Sequence, residues 1–204
     1  MPLHEFIYLA SQSPRRTQLL DQLGVAHRPL RPDAGENAED LEAEHAGELP
    51  LDYVRRVTLL KLRAARARLR RRGLPSAPIL CADTTVALGR RILGKPRDDG
   101  EAAEMLRALS GRTHRVLTAV AVSAGARSLL ATSISRVRFA ELPQATIRRY
   151  VTSGEPQGKA GAYAIQGRIA AWVEHVEGSY SGIMGLPLHE THTLLSRARV
   201  RLEL

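Results

Sequence analysis

The chain has 204 residues, 44% hydrophobic and 25% charged, an ordinary globular composition that excludes wholesale disorder. A single cysteine, Cys81, excludes an intrachain disulfide and a cysteine-rich zinc site, and no apolar run approaches the roughly 18 residues needed to cross a bilayer. Net charge is +9, but 27 of the 30 basic residues are arginine and aromatics are only 4%, so the basic balance reads as biased composition on a solvated helix face and argues against a nucleic-acid partner.

In chain order, Glu5–Ala10 is a short buried strand. Ser13-Pro14 opens a helix, with Ser at the cap and Pro at the first helical position; Leu19, Leu20 and Leu23 form its apolar face, and Gly24 stops it. The basic pair Arg15-Arg16 follows the first apolar run, the reverse of a secretory signal, and a cytoplasmic setting is expected. Ala26–Leu30 is a second strand, and Arg31–Leu49 is an acidic loop. Pro50 starts a helix running to about Arg72, with an apolar stripe of Val54, Val57, Leu60, Ala64 and Ala65.

A strand over Pro78–Ala82 precedes a hairpin of Thr85–Leu88 and Ile92–Leu93 turned at Gly89-Arg90. Asp98 begins a helix through Leu109, and Thr113–Ala124 and Ser128–Phe139 are two long strands about Gly125. Gln144–Ser153 is a helix, Ala170–Val176 a strand and Pro187–Ala198 a helix. Strands mixed with helices and a long β-hairpin predict a mixed α/β sheet rather than a purely parallel one.

Three motifs mislead. Gly89–Lys95 fits the start of a phosphate loop, but Pro96 replaces the hydroxyl that would reach a metal and lacks an N–H. His189-Glu190-Thr191-His192 is one residue short of a zinc-protease helix and has no third ligand in view. Gly178-Ser179-Tyr180-Ser181-Gly182 puts Tyr where a hydrolase elbow needs its serine.

Four features carry chemistry. Ser11, Ser13, Arg15 and Arg16 sit where a strand enters a helix N-terminus, where hydroxyls, guanidinium groups and unpaired N–H groups suit a polyanion. Lys61, Lys95 and Lys159 are the only lysines, and a compact ammonium suits phosphate oxygens. Lys61 falls within its helix's apolar stripe, where a charge is costly unless paired or turned to a polar cleft. Asp83, after an apolar strand, suits a metal ligand or a base for water. Gln166, bounded by small and apolar residues, offers both donor and acceptor to the imide edge of uracil or thymine.

Together these stretches resemble the Maf family of nucleotide pyrophosphatases over nearly the whole chain. The matching pieces begin with Leu9-Ala10-Ser11-x-Ser13-Pro14-Arg15-Arg16, Lys61, Ala82-Asp83-Thr84 and Gly94-Lys95-Pro96. They continue with Ser110-Gly111-x-x-His114, then Glu155-Pro156-x-x-Lys159-Ala160-Gly161-Ala162-Tyr163-x-Ile165-Gln166-Gly167, and end with Gly185-Leu186-Pro187. The resemblance implies one α/β domain over residues 1–204, a mixed twisted sheet with flanking helices and two lobes around a central cleft, similar to inosine triphosphatase. It also implies a homodimer that splits nucleoside triphosphates into monophosphate and pyrophosphate with Mg²⁺ or Mn²⁺.

The family has a branch acting on dTTP, UTP and some modified pyrimidine nucleotides, and another preferring 7-methyl-GTP. Arg16, Thr84 and Gln166 resemble the specificity residues of the first branch. The resemblance implies that Ser11, Arg15, Lys61, Lys95 and Lys159 hold the triphosphate, with Asp83 and Glu36 as the metal-side carboxylates and Asp83 as candidate base. Ala164 replaces a usual Gly, and Gly35 replaces an acidic residue before Glu36. The family is also linked to septum formation, so a regulator that binds nucleotide or nucleic acid without turnover is the alternative to a house-cleaning enzyme.

Overall fold

The computed structural model describes residues 3–33, 35, 36 and 38–202. Seven strands form one mixed sheet in the order β2-β1-β3-β5-β6-β7, with β4 pairing β3. The strands are β1 Ile7–Leu9, β2 His27–Pro29, β3 Ile79–Leu88, β4 Arg91–Leu93, β5 Thr113–Ala124, β6 Arg127–Phe139 and β7 Val173–Glu177. The helices are α1 Pro14–Gln22, α2 Pro50–Arg71, α3 Asp99–Leu109, α4 Gln144–Thr152, α5 Tyr180–Met184 and α6 Leu188–Arg197. The expected α/β class, with its mixed sheet and flanking helices, is what the chain adopts. No described helix is long and apolar enough to cross a membrane.

Helices cover both faces of the sheet, so its central strands read as continuous apolar runs rather than alternating ones. Alternate residues of β5 still divide the core. Val120 and Val122 pack with Leu19, Leu20, Leu194 and Leu195 of α1 and α6. Leu117 and Ala119 pack with Val54 and Val57 of α2 on the other face. A third region joins Leu106 and Leu109 of α3 and Ile147 of α4 to Val116, Val137 and Phe139.

The sheet's shape positions the site. β1 runs parallel to β3 and pairs with it only at Ile79 and Leu80. β4 pairs with the far end of β3, at Val86–Leu88. Between these two neighbours, the middle of β3 has a strand on only one side, where Asp83 faces Ala119 and Thr84 faces Thr118 of β5. The resulting gap in the sheet edge is the floor of a cleft.

Several boundaries differ from the sequence reading. β3 is one unbroken strand of 10 residues, so Asp83 lies inside it rather than after its end. β5 pairing carries the ladder straight through the polar Asp-Thr-Thr run. The strand expected from Ala170 begins at Val173, because Arg168–Trp172 forms a 3-10 turn. The acidic loop contains another such turn at Ala38–Glu42, and α5 was not foreseen.

The arginines of α2 and its C-cap Arg72 are less solvated than composition suggests. Arg68 Nε donates to Glu36 at 2.8 Å, and Arg71 and Arg72 pair with Asp33. Arg66 bonds to Ser128 and to the carbonyls of Gly125 and Arg127 at the β5–β6 turn. The helix thus pins the acidic loop on one side and the long hairpin on the other.

Candidate active site

The sequence-selected residues converge. Ser11, Arg15, Arg16, Glu36, Lys61, Asp83, Thr84, Lys95, Lys159 and Gln166 all line one cleft of about 670 Å³. This volume lies within the range of roughly 300–1,000 Å³ usual for small-ligand sites.

The carboxylate centre is built by β3 and α2. The two-residue period of β3 sends Asp83 toward α2, while Thr84 faces the opposite side. Lys61 occupies the α2 stripe that also buries Val54, Val57, Ala65 and Arg68. Its Nζ donates to Asp83 Oδ1 at 2.6 Å and to Glu42 Oε1 at 2.7 Å. Lys95 reaches the same glutamate, 2.9 Å from Glu42 Oε2. Burial pushes the Glu42 carboxyl up, but Lys61 and Lys95 together pull it below the usual glutamate range. Tyr53 Oη donates to the Glu42 carbonyl at 2.9 Å and holds the 3-10 turn in place.

The opposite wall is cationic. Ser13 occupies the cap position of α1 but makes no side-chain cap bond; its own N–H donates to Ser11 Oγ at 3.1 Å. Arg15 Nε donates to the Met184 carbonyl at 3.2 Å. Burial, then the charge of Arg15, draws the Lys159 ammonium below the usual lysine range. Two cations that repel each other on one wall favour an anion beside them.

The segments that carry Lys159 and Lys95 are joined through the backbone, since Gly161 N donates to the Gly94 carbonyl at 3.0 Å. Gly161 has φ +69, and a Cβ there would stand 2.9 Å from Val86 side-chain atoms. Only glycine lets this turn lie against β3.

Arg16 and Thr84 line the cleft and are also bonded to one another and to backbone. Arg16 Nε donates to the Gly185 carbonyl at 2.8 Å, and its other nitrogens reach Ser11 Oγ at 3.2 Å and Thr84 Oγ1 at 3.4 Å. Thr84 then bonds Thr118, whose hydroxyl donates to the Gly182 carbonyl at 2.7 Å. This chain of bonds ties α1, β3, β5 and α5 together at the cleft wall. Gln166, by contrast, is exposed in the cleft wall.

A metal fits the carboxylate centre. Among the described residues, no group of three or more His, Cys, Asp or Glu side chains gathers to hold one alone. Asp83 and Glu42, however, already face one ammonium at 2.6 and 2.7 Å, so both can face one cation. Mg²⁺ commonly takes one or two carboxylates and completes its shell with substrate phosphates and water. Glu36 also lines the cleft, but Arg68 and Arg71 engage its carboxylate.

A sequence model described as Maf-like protein matches residues 6–198. The chain belongs to the Maf family. This Maf-family chain is 62% identical over 202 residues to a dTTP/UTP pyrophosphatase of Polaromonas sp., covering 99% of this chain and all of that one. A dTTP/UTP pyrophosphatase of Albidiferax ferrireducens is 60% identical over 193 residues, covering 95% of this chain and 96% of that one. A crystal structure of a nucleoside-triphosphatase / dITP/XTP pyrophosphatase from Mycobacterium abscessus aligns with 67% of this chain and 75% of its own, at 17% identity and a TM-score of 0.43.

Sequence reasoning missed Glu42 and Tyr53. Glu42 lies in a run with Asp33, Glu36, Asp40 and Glu44, and without a helical or strand period nothing ranks one acid above another. Tyr53 had a usable signal. It sits eight residues before Lys61, about 80° away around the helix, at the edge of the same stripe.

Proposed function

We propose that this Maf-family chain hydrolyses dTTP and UTP to the nucleoside monophosphate and pyrophosphate. The observation that carries the proposal is the convergence on one cleft of a lysine-held carboxylate pair, a wall of separate cations and an exposed amide. The near-full-length similarity to dTTP/UTP pyrophosphatases supports the same substrates.

In this reading the triphosphate lies among Arg15, Lys61, Lys95 and Lys159. Ser11 supplies a neutral donor. Gln166 meets the pyrimidine imide edge, and a base lacking the matching donors and acceptors leaves that amide unpaired. Arg16 and Thr84 contribute to pyrimidine choice by fixing the wall behind the base. Asp83 stands at the reacting end, where its carboxylate takes the proton that the attacking water sheds. Water adds to the α-phosphorus in line, the α–β bridging P–O bond breaks, and pyrophosphate carries away that oxygen. The cations balance charge that grows on the leaving group.

Asp83 and Glu42 would hold Mg²⁺ or Mn²⁺, which would supply further neutralisation of the phosphates when bound. Glu36 acts one layer out, keeping Arg68 and Arg71 against the acidic wall. The reading extends to a single two-lobed domain acting as a cytoplasmic homodimer, as the family resemblance implies.

The test is turnover in heavy-oxygen water with Mg²⁺ or Mn²⁺, comparing dTTP, UTP, CTP, ATP, GTP and 7-methyl-GTP. The expected products from dTTP and UTP are labelled monophosphate and unlabelled pyrophosphate. Label in the pyrophosphate, release of nucleoside diphosphate plus inorganic phosphate, or equal rates on all six nucleotides would overturn the proposal. Nucleotide binding without pyrophosphate release would favour a regulator.

A further inference from the structure

Gln166 stands in a loop whose position must be reproducible if its amide is to select a base. The core holds this loop from one side, through buried Ile165 and Ile169. A second set of contacts holds it through polar groups. Ala164 N–H donates to Tyr150 Oη at 3.3 Å. Tyr150 Oη in turn donates to Glu155 Oε1 at 2.9 Å. Arg168 N–H donates to that same oxygen at 3.1 Å.

The two backbone groups fixed in this way lie two residues before and two residues after Gln166. Between them the fit is tight: a Cβ on Gly167 would fall 1.7 Å from Glu155 Oε1. Tyr150 is buried, and Glu155 does not line the cleft.

We infer that Tyr150 and Glu155 form a two-point clamp that positions Gln166 for base recognition. Both are positioning residues, since neither faces the cleft where substrate would bind. The inference rests on the proposed role of Gln166 in pyrimidine choice. The clamp acts on selectivity because each of its bonds restrains backbone beside the amide rather than the phosphate wall. A carboxylate is the natural centre for it. One oxygen accepts both the Tyr150 hydroxyl and the Arg168 amide, and a glutamine carbonyl in the same place has two lone pairs and can do the same.

The test compares kcat and KM for UTP and CTP in wild type, Tyr150→Phe, Glu155→Ala, Glu155→Gln and Gln166→Ala. The expected result is that Tyr150→Phe and Glu155→Ala each reduce the UTP-over-CTP ratio of kcat/KM by about tenfold, mainly through KM for UTP. Glu155→Gln keeps the ratio within about threefold of wild type, because both bonds to the shared oxygen survive. Folding is monitored by circular dichroism. If Glu155→Ala does not fold, Tyr150→Phe, which removes one hydroxyl, decides the matter.

Loss of selectivity in Gln166→Ala but not in the clamp variants overturns the clamp and leaves the role of Gln166 intact. Unchanged selectivity in Gln166→Ala overturns that role as well. Lower thermal stability with an unchanged ratio assigns both clamp residues to structure alone and also overturns the inference.

Discussion

Replacing Lys61 with methionine removes the charge that joins two carboxylates while keeping a long side chain in the α2 stripe. In the native protein its Nζ lies 2.6 Å from Asp83 and 2.7 Å from Glu42, and the three side chains are 17%, 10% and 20% exposed. Removing one partner of a fully buried pair costs roughly 3–5 kcal/mol. Water reaches this cluster and Lys95 still holds Glu42, so about 2–3 kcal/mol is expected at neutral pH. For a chain of this size that is a fall in Tm of about 4–12 °C.

The pH dependence gives a second check. The Glu42 carboxyl is held low in the folded state, so its contribution is complete above the unfolded glutamate pKa of about 4.3 and disappears as pH falls through the lower folded value. The gap between Lys61→Met and wild type therefore narrows below about pH 4.3 as the remaining carboxylates take up protons. Thermal unfolding followed by circular dichroism at pH 7 and pH 4 measures both effects. Equal Tm values at pH 7, or a gap at pH 4 as wide as at pH 7, would refute the reasoning. Carboxylates that do not contact Lys61 titrate in both proteins and cancel in the difference.

Asp83→Asn keeps the shape of β3 but removes the proton acceptor, so kcat for dTTP should fall by about 10²–10⁴ with the circular dichroism spectrum retained. His114 is buried beside Tyr163, with Nε2 2.7 Å from its hydroxyl, and burial pulls the imidazole down to about 4. Its neutral form is favoured in the fold, so stability is full above the unfolded pKa of about 6.5 and falls as pH drops toward 4, by roughly 3 kcal/mol in all. His114→Leu should flatten that part of the Tm-versus-pH curve. Gly161→Ala forces a side chain into the left-handed region and against Val86, so about 1–3 kcal/mol of stability and much of the kcat/KM should be lost together.

The sequence made the cations readable because they were scarce or misplaced. Three lysines stood out among the arginines, and Lys61 broke an apolar stripe. Asp83 was legible as a residue, but its setting was misread. A polar Asp-Thr-Thr run looks like a strand end, and only the long pairing of β3 with β5 shows that the strand continues through it. Glu42 was hidden because its place depends on tertiary contacts with Tyr53, Lys61 and Lys95, none of which leaves a local pattern. Arg16 and Thr84 show the converse difficulty. Their motifs were recognisable, but sequence does not say whether a guanidinium points at ligand or at the backbone of a distant turn.

The guanidinium clips from α2 to the acidic segment give the molecule two kinds of adhesive. The sheet is held by apolar contact, which salt does not screen, whereas Arg71 and Arg72 grip Asp33 through exposed attractions that salt screens; the Arg68–Glu36 pair, with Arg68 only 6% exposed, is screened less. Ionic strength therefore acts on the pairs that tie Asp33 to the end of α2 and leaves the apolar packing of the sheet in place.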